Sequence, residues 1–364
     1  MAGDGRREES GFELLIGEMD SPNHMTTATS AVCPPAQGQA SSPAADTVVP
    51  ISSVSELSRI TEAARGNEVT GLSIFNRTLD DISGARVEDL VLQMCADQPT
   101  GGTDMVYGTK PTQRLRFWNA ESSKAEPARA PLILFVHGGS WKSGTYLDST
   151  GSAKVGHLTG KGYAFATVNY TLIPDVTVEE QVQEVADSLA YLVTNAAQLG
   201  FDSTRLVLMG HSSGAHVATL LGTDLSYLER AGVNVDSVCG VIALDGSNYN
   251  AMAEIVDSPG PVADSTILGL GRNRERLMAM SPTYHARAPN AGAFLLLQAQ
   301  RQGDIRQAVE LSAALNAAGT DVALHVFEGQ SFEGHMQMLL RIGDASYPAT
   351  SVMDDWLAIH APVL

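Results

Sequence analysis

Residues 206–216 read Leu206-Val207-Leu208-Met209-Gly210-His211-Ser212-Ser213-Gly214-Ala215-His216. The apolar run Leu206–Met209 suits a buried strand, and it passes without a linker into Gly210-His211-Ser212-Ser213-Gly214. The next residues, Ala215 through Leu221, suit a helix. A strand that turns sharply into a helix across a G-x-S-x-G sequence holds its serine at the tip of a strained turn, with the hydroxyl clear of the sheet. Gly210 and Gly214 are needed because strand and helix approach too closely there for a Cβ. The helix then points its N-terminus, with unpaired N–H groups and partial positive charge, at the serine. Ser212 is thus the candidate nucleophile.

The flanking sequence alternates strand and helix from about residue 104. Met105–Tyr107 and Arg114–Trp118 read as an opening hairpin, followed by buried strands at Pro131–Val136 and Ala164–Tyr170. Thr177 and Glu180 form a capping box for a helix whose apolar face is Val178, Val182, Val185, Leu189 and Leu192, with Gly200 closing it. After the 206–221 unit come a strand at Val241–Leu244, an excursion to about 290, a strand at Ala293–Leu297 and a helix near 305–318. A last strand at Val322–Phe327 and a final helix near Val352–Ile359 end the pattern. Continuous apolar strands alternating with amphipathic helices imply an α/β fold, a mostly parallel sheet covered on both faces. Its working site lies at the carboxyl ends of the strands, where Ser212 falls.

Acyl transfer by a serine needs oxyanion donors, a general base and an acid to orient that base. Strand 131–136 ends in His137-Gly138-Gly139-Ser140-Trp141, and paired glycines after a strand free backbone N–H groups to face a cleft. The N–H groups of Gly138 and Gly139, with Ser140 as a further contributor, and of Ser213 after the nucleophile are the expected donors. Trp141 walls the pocket or packs in the core. Of nine histidines, only His285, His325, His335 and His360 lie well beyond Ser212. His335 follows the last strand in what reads as a loop containing Gly329 and Gly334, and is the expected base. Asp304 is the sole carboxylate between strand 293–297 and its helix, and is the expected acid unless it merely caps that helix. Asp245, in Leu244-Asp245-Gly246-Ser247, is the alternative acid, or else lines or braces the pocket. His211 is expected to brace loops beside the pocket, and His216 to pack under the turn.

The chain has 364 residues, 44% hydrophobic and 18% charged, with 23 basic against 41 acidic residues and a net charge of −18. That length suits one large domain at about 104–364, preceded by a disordered leader or tag over 1–50 and a helical extension or cap over 51–103. The acidic balance disfavours nucleic acid and anionic membranes as partners. Cys33, Cys95 and Cys239 lack metal-ligand spacing and imply no disulfide framework. Neither a membrane span nor an apolar signal core is present, so the expectation is a cytoplasmic protein, or a secreted one if a native leader has been replaced at His24-Met25. The chemistry asks for no metal and no organic cofactor. Oligomeric state is left open.

These segments together resemble the α/β-hydrolase superfamily, and within it the esterase and kynurenine formamidase (arylformamidase) group. His137-Gly138-Gly139-Ser140-Trp141 is similar to that group's H-G-G-x-W. Tyr170-Thr171-Leu172-Ile173-Pro174-Asp175-Val176 resembles Y-x-L-x-P-E-V, with Asp for Glu, and Gly210–His216 resembles G-H-S-A-G-A-H, with Ser213 for Ala. The resemblance spans about 104–360 and implies Ser212, Asp304 and His335 as a triad. Around the acid the chain departs from the group's H-G-x-x-D, carrying Gln298 to Gly303 instead. The resulting expectation is hydrolysis of a small-molecule carboxylic ester through an acyl-enzyme. Cleavage of N-formylkynurenine-like amides is the alternative within the class, and a noncatalytic hydrolase-fold binding protein is the rival outside it.

Overall fold

A computed structural model of the chain describes residues 48–50, 97–121 and 130–364. The apolar runs of the sequence become the centre of a nine-stranded sheet ordered β1-β9-β8-β7-β6-β4-β5-β3-β2. Its strands are β1 (Val48–Pro50), β2 (Thr103–Val106), β3 (Arg114–Trp118), β4 (Ala130–Val136), β5 (Ala164–Val168), β6 (Phe201–His211), β7 (Val238–Leu244), β8 (Ala293–Gln300) and β9 (Asp321–Gln330). Strands β4 to β9 run parallel, while β1, β2 and β3 pair antiparallel at the two edges. The opening hairpin is therefore β2–β3. The expected leader and helical extension lie outside the described residues, apart from 48–50 and 97–103, as do Cys33 and Cys95.

Side chains alternate across each strand, and the core divides accordingly. Leu132, Leu134 and Val136 of β4, Leu206 and Leu208 of β6, and Phe294 and Leu296 of β8 face one helical layer. That layer includes α2 (Val178–Thr194), α3 (Ser213–Thr223) and α6 (Gln302–Ala317). Ile133 and Phe135, Val207 and Met209, and Leu295 and Leu297 face the other. There they meet α1 (Ser152–Lys161), α7 (Ser331–Arg341) and α8 (Pro348–His360). The excursion after β7 folds as further helices, α4 (Ala251–Asp257) and α5 (Pro261–Leu270) among them. Helix α3 is buried along its whole length, as its apolar sequence demands.

Local signals act where the sequence puts them, with one shift. Thr177 Oγ1 accepts from Glu180 N–H (3.3 Å) while Glu180 Oε2 accepts from Thr177 N–H (2.7 Å), the full capping box. Helix α2 ends earlier than Gly200, at Thr194. The Asn195 side chain bonds back to Tyr191 O (2.7 Å), and a separate turn Ala196–Leu199 is what Gly200 closes, at φ 76°. Lys154 of α1, fully buried, donates to Leu339 O of α7 (2.6 Å) and to Thr150 O, tying α7 to the opposite loop.

Because β5 and β6 lie on opposite sides of β4, the chain reverses its winding between β4 and β6. A crevice opens beyond the carboxyl ends of strands at such a point. In register, Val136 lies opposite Gly210, Gly210 opposite Ala243, and Leu244 opposite Leu297. The residues after each strand are thereby presented along one edge.

The closest approach at that edge is glycine-dependent. A Cβ on Gly214 would sit 2.1 Å from Val136 O and 2.5 Å from His137 O. Gly214→Ala is expected to lower stability in urea unfolding by about 3 kcal/mol, through overpacking against backbone that cannot rotate away. Gly156 is the control: it lies in the middle of α1, exposed, with nothing within 4 Å of an added Cβ. Gly156→Ala should raise stability by about 0.5–1 kcal/mol. Equal midpoints for wild type and Gly214→Ala would contradict the close approach.

Candidate active site

Ser212 occupies the junction of β6 and α3 with φ 56° and ψ −124°, a conformation that non-glycine residues adopt at a cost of about 1–3 kcal/mol. Its N–H is committed to Leu244 O (3.0 Å), which fixes the turn against β7. Gly210 permits the turn, since a Cβ there would lie 2.2 Å from Gly214 O. Ser213 begins α3, so its N–H is one of the unpaired groups at a helix N-terminus.

Across from the serine, β4 ends in a loop built on positive φ values at Gly139 (122°), Ser140 (52°) and Trp141 (62°). A Cβ on Gly138 would stand 2.9 Å from Ser212 Cβ and 2.8 Å from His211 O, so only glycine fits beside the serine. Gly139 O accepts from the N–H groups of Lys142 (3.1 Å) and Ser143 (3.0 Å), closing a tight turn. Trp141 N–H donates to Ser213 Oγ (3.4 Å), linking the two loops. Among the described residues, the N–H groups of Gly138, Gly139 and Ser213 meet no protein acceptor.

His335 and Asp245 form the polar pair of the site. His335 Nδ1 lies 2.6 Å from Asp245 Oδ2, and both residues are buried. Asp245 follows β7 directly and takes φ 44°, with its N–H on Leu297 O (2.7 Å). Its Oδ1 accepts Ala299 N–H (2.8 Å) and its Oδ2 accepts Arg301 Nε–H (2.8 Å). Burial opposes ionisation of this carboxyl, but Arg301 and His335 outweigh it and hold the group well below the usual carboxylate range. An ionised carboxylate can only accept, so Nδ1 of His335 carries the proton and Nε2 is left as the basic nitrogen. Burial, reinforced by Arg301, lowers the His335 imidazole below its ordinary value, against the pull of Asp245.

The structure brings Asp245 to His335 and does not bring Asp304 there. Asp304, expected beside His335, lies instead in the first turn of α6, 3.1 Å from Arg301 Nη1, and its Oδ1 has no partner among the described residues. Strand β8 runs on to Gln300, past the expected end at Leu297, and α6 starts at Gln302, so a single residue separates them. No loop remains to carry Asp304 back to the histidine. Burial, partly offset by Arg301, raises its carboxyl well above the ordinary range. Asp245 was signalled by its Asp-Gly sequence, a turn dipeptide whose Asp tolerates positive φ.

His335 also differs from its expected setting, being in helix α7 rather than in a loop. Strand β9 passes into α7 at Ser331, and Gly329 and Gly334 pack together where a Cβ on Gly334 would lie 2.4 Å from Gly329 O. His211 Nε2 donates to His335 O (3.0 Å), with the two rings 4.3 Å apart. His216 Nε2 bonds Met280 O (2.7 Å) beneath Trp141, whose ring it meets edge-on at 5.3 Å.

Ser212, Ser213, Ser140, Trp141 and His335 line one cleft of about 220 Å³. Its far wall is Ser247, Asn248, Pro261, Val262, Ser265 and Thr266, with Arg301 and Phe332 beside His335. His211 and Asp245 are buried behind this lining. A second hollow of about 300 Å³ near the C-terminus, between Tyr163 and Val363, lacks any of these residues. Among the described residues no His, Cys, Asp or Glu cluster is grouped as metal ligands would be, and no helix is long and apolar enough to cross a membrane.

Known proteins share both the sequence pattern and the architecture. The chain is similar to a probable isoprenylcysteine alpha-carbonyl methylesterase of Oryza sativa subsp. japonica, 25% identical over 62% of this chain and 56% of that protein. It is 36% identical to the kynurenine formamidase of Drosophila melanogaster over 24% of this chain and 28% of that one. The chain spans about half the length of the rice methylesterases it matches. The crystal structure of esterase B from Lactobacillus rhamnosis aligns with a TM-score of 0.58 at 20% identity, covering 76% of this chain and 90% of that one, which shows a common α/β-hydrolase fold. The BD-FAE family model matches residues 120–315, from the approach to β4 through most of α6, and the chain belongs to that family.

Proposed function

We propose that this protein hydrolyses carboxylic esters, with Ser212 as nucleophile, His335 as general base and Asp245 as the acid that orients the base. The observation that carries the reading is the 2.6 Å contact between Asp245 and His335 Nδ1, which leaves Nε2 basic in the cleft that also holds the strained Ser212. Ser212 Oγ attacks the ester carbonyl carbon as its proton passes to His335 Nε2. The N–H groups of Gly138, Gly139 and Ser213 receive the charge that develops on the carbonyl oxygen. Ser212 N–H does not contribute, being held by Leu244 O. His335 then protonates the leaving alkoxide, and a water activated by the same nitrogen releases the acid from the acyl-enzyme.

The small cleft and the formamidase relative also favour a formyl amide as substrate. Turnover of N-formylkynurenine beside p-nitrophenyl acetate and longer acyl esters separates the two substrate classes.

The wild-type protein should react stoichiometrically with a fluorophosphonate probe, and Ser212→Ala should neither react nor turn over p-nitrophenyl acetate. A wild type inert to the probe would instead favour a noncatalytic binding protein. The two acids give opposite outcomes. Asp245→Asn leaves His335 facing a side chain that can donate as well as accept, and kcat should fall by about 10⁴-fold. Asp304→Asn closely mimics the neutral carboxyl favoured at that buried position, and kcat should stay within about fivefold of wild type. The reverse order would return the acid's role to Asp304.

A further inference from the structure

Arg301 is the charged residue of the cleft lining that the proposed mechanism leaves without a task. It is the sole residue between β8 and α6, and its side chain is about four-fifths buried (19% exposed). Its Nε–H donates to Asp245 Oδ2 at 2.8 Å, the same oxygen that meets His335 Nδ1 at 2.6 Å. Its Nη2 donates to Asp245 O (3.1 Å), and its Nη1 lies 3.1 Å from Asp304 Oδ2. The guanidinium thus holds both ends of Asp245, its backbone carbonyl and its carboxylate, and is itself backed by Asp304.

We propose that Arg301 is a positioning residue of this site, which shares the Asp245 oxygen with His335 and thereby shifts the pH range of the reaction toward acid. The inference rests on the Ser212–His335–Asp245 reading above. Its physical basis is competition at a single atom. A carboxylate oxygen already neutralised by a fixed cation stabilises an imidazolium less than a free one does, and the cation repels the imidazolium directly. The base therefore sheds its proton at a lower pH and is ready to accept one from Ser212 in mild acid.

Among the described residues few charged or titratable groups surround His335, whose own helix α7 carries Glu333 in its first turn. From β7 comes Asp245; from β8 and α6 come Arg301 and, behind it, Asp304, with Glu254 of α4 beyond. From β6 comes His211, held neutral by burial, and from α1 comes Lys154, whose ammonium is spent on Leu339 O and Thr150 O. Arg301 is the cation bonded to the carboxylate that His335 uses. Asp304 gains a purpose as well, since its Oδ2 fixes the far end of the guanidinium.

The pH dependence of kcat/KM on p-nitrophenyl acetate tests this, because its acid limb reports the base of the free enzyme. The wild-type limb should have its midpoint below about 6.5, the ordinary histidine value. In Arg301→Gln the imidazolium is no longer opposed by the cation, so the midpoint should rise by about one pH unit. Arg301→Lys keeps the charge and should keep the midpoint nearer wild type, even if kcat falls. Titration of Ser212 with p-nitrophenyl diethyl phosphate counts the folded sites in each variant. An Arg301→Gln profile lowered equally at every pH, with its limb unmoved, would reduce Arg301 to a structural support and overturn the proposal. If Arg301→Gln does not fold, a wild-type limb at or above 6.5 overturns it by itself. Absence of the p-nitrophenol burst in wild-type protein would be a different failure, that of Ser212 as nucleophile, and this inference would fall with it.

Discussion

One close contact between backbones governs the site: the first turn of α3 rests on the last carbonyls of β4, with Gly214 filling the space a Cβ would need. With Val136 O only 2.1 Å from where that Cβ would be, helix and strand touch as backbone. The contact forces the chain to turn within Gly210–Gly214, and that turn places Ser212 at φ 56°. It also sets the N-terminus of α3 beside the loop His137–Trp141, so the unpaired amides of two separate elements converge. The strain at Ser212 persists because its surroundings over-determine it: Ser212 N–H is bound to β7, and Ser212 O accepts from Ala215 and His216 N–H within α3.

Charge is handled differently from shape. The cleft is backed by Asp245, Arg301, Asp304 and Glu254, all drawn from the carboxyl ends of β7 and β8 or the helices beyond them. Unpaired, any of these charges would be strongly unfavourable in so dry a place. Asp245 is ionised because a cation, an imidazole and a backbone N–H all meet it. Among the described residues Asp304 meets the shared guanidinium with Oδ2 and leaves Oδ1 without a partner, and burial favours its neutral form. Two buried aspartates on one arginine are thus pushed in opposite directions, Asp245 toward its charged form by Arg301 and His335, and Asp304 toward its neutral form by burial and the nearby Glu254 and Asp245.

Much of this was legible in the sequence, and the legible part was local. The elbow at 210–214 and the glycine pair at 138–139 are contiguous stretches whose residue types follow from one steric demand each, so they can be read without knowing what packs on them. The capping box at Thr177 and Glu180 is readable for the same reason. The carboxylate beside His335 was not, because which aspartate can reach that ring depends on how far β8 continues. Gln298-Ala299-Gln300 looks like a polar loop, yet it pairs with β9 as strand, and Gln298 points a buried amide toward Gly246 O (3.2 Å). Three residues more of strand absorb the slack that would have let Asp304 reach His335. His335 was found by chain order, but its helix was hidden. Gly329 and Gly334 read as loop formers, whereas their mutual contact is what lets β9 pass straight into α7.

The histidines show how the same side chain is divided between scaffold and chemistry. His137 Nδ1 bonds Gly138 O (2.7 Å), His211 Nε2 bonds His335 O (3.0 Å) and His216 Nε2 bonds Met280 O (2.7 Å). Each uses a neutral ring to donate one hydrogen bond to a backbone carbonyl, and none is paired with a carboxylate among the described residues. Burial lowers His137 and His216 to about 4, and His211 well below its ordinary value, so these rings keep one charge state across the range in which an imidazole base works. Their folded values lie below the unfolded one, so the stability they contribute is present above about 6.5 and lost as pH falls toward 4. His335 alone among these four meets a carboxylate in the described residues, with Asp245 favouring its protonated form while burial and Arg301 oppose it. The other three histidines instead bond the backbone of the loop after β4, of helix α7 and of Met280, each through a ring that burial keeps neutral.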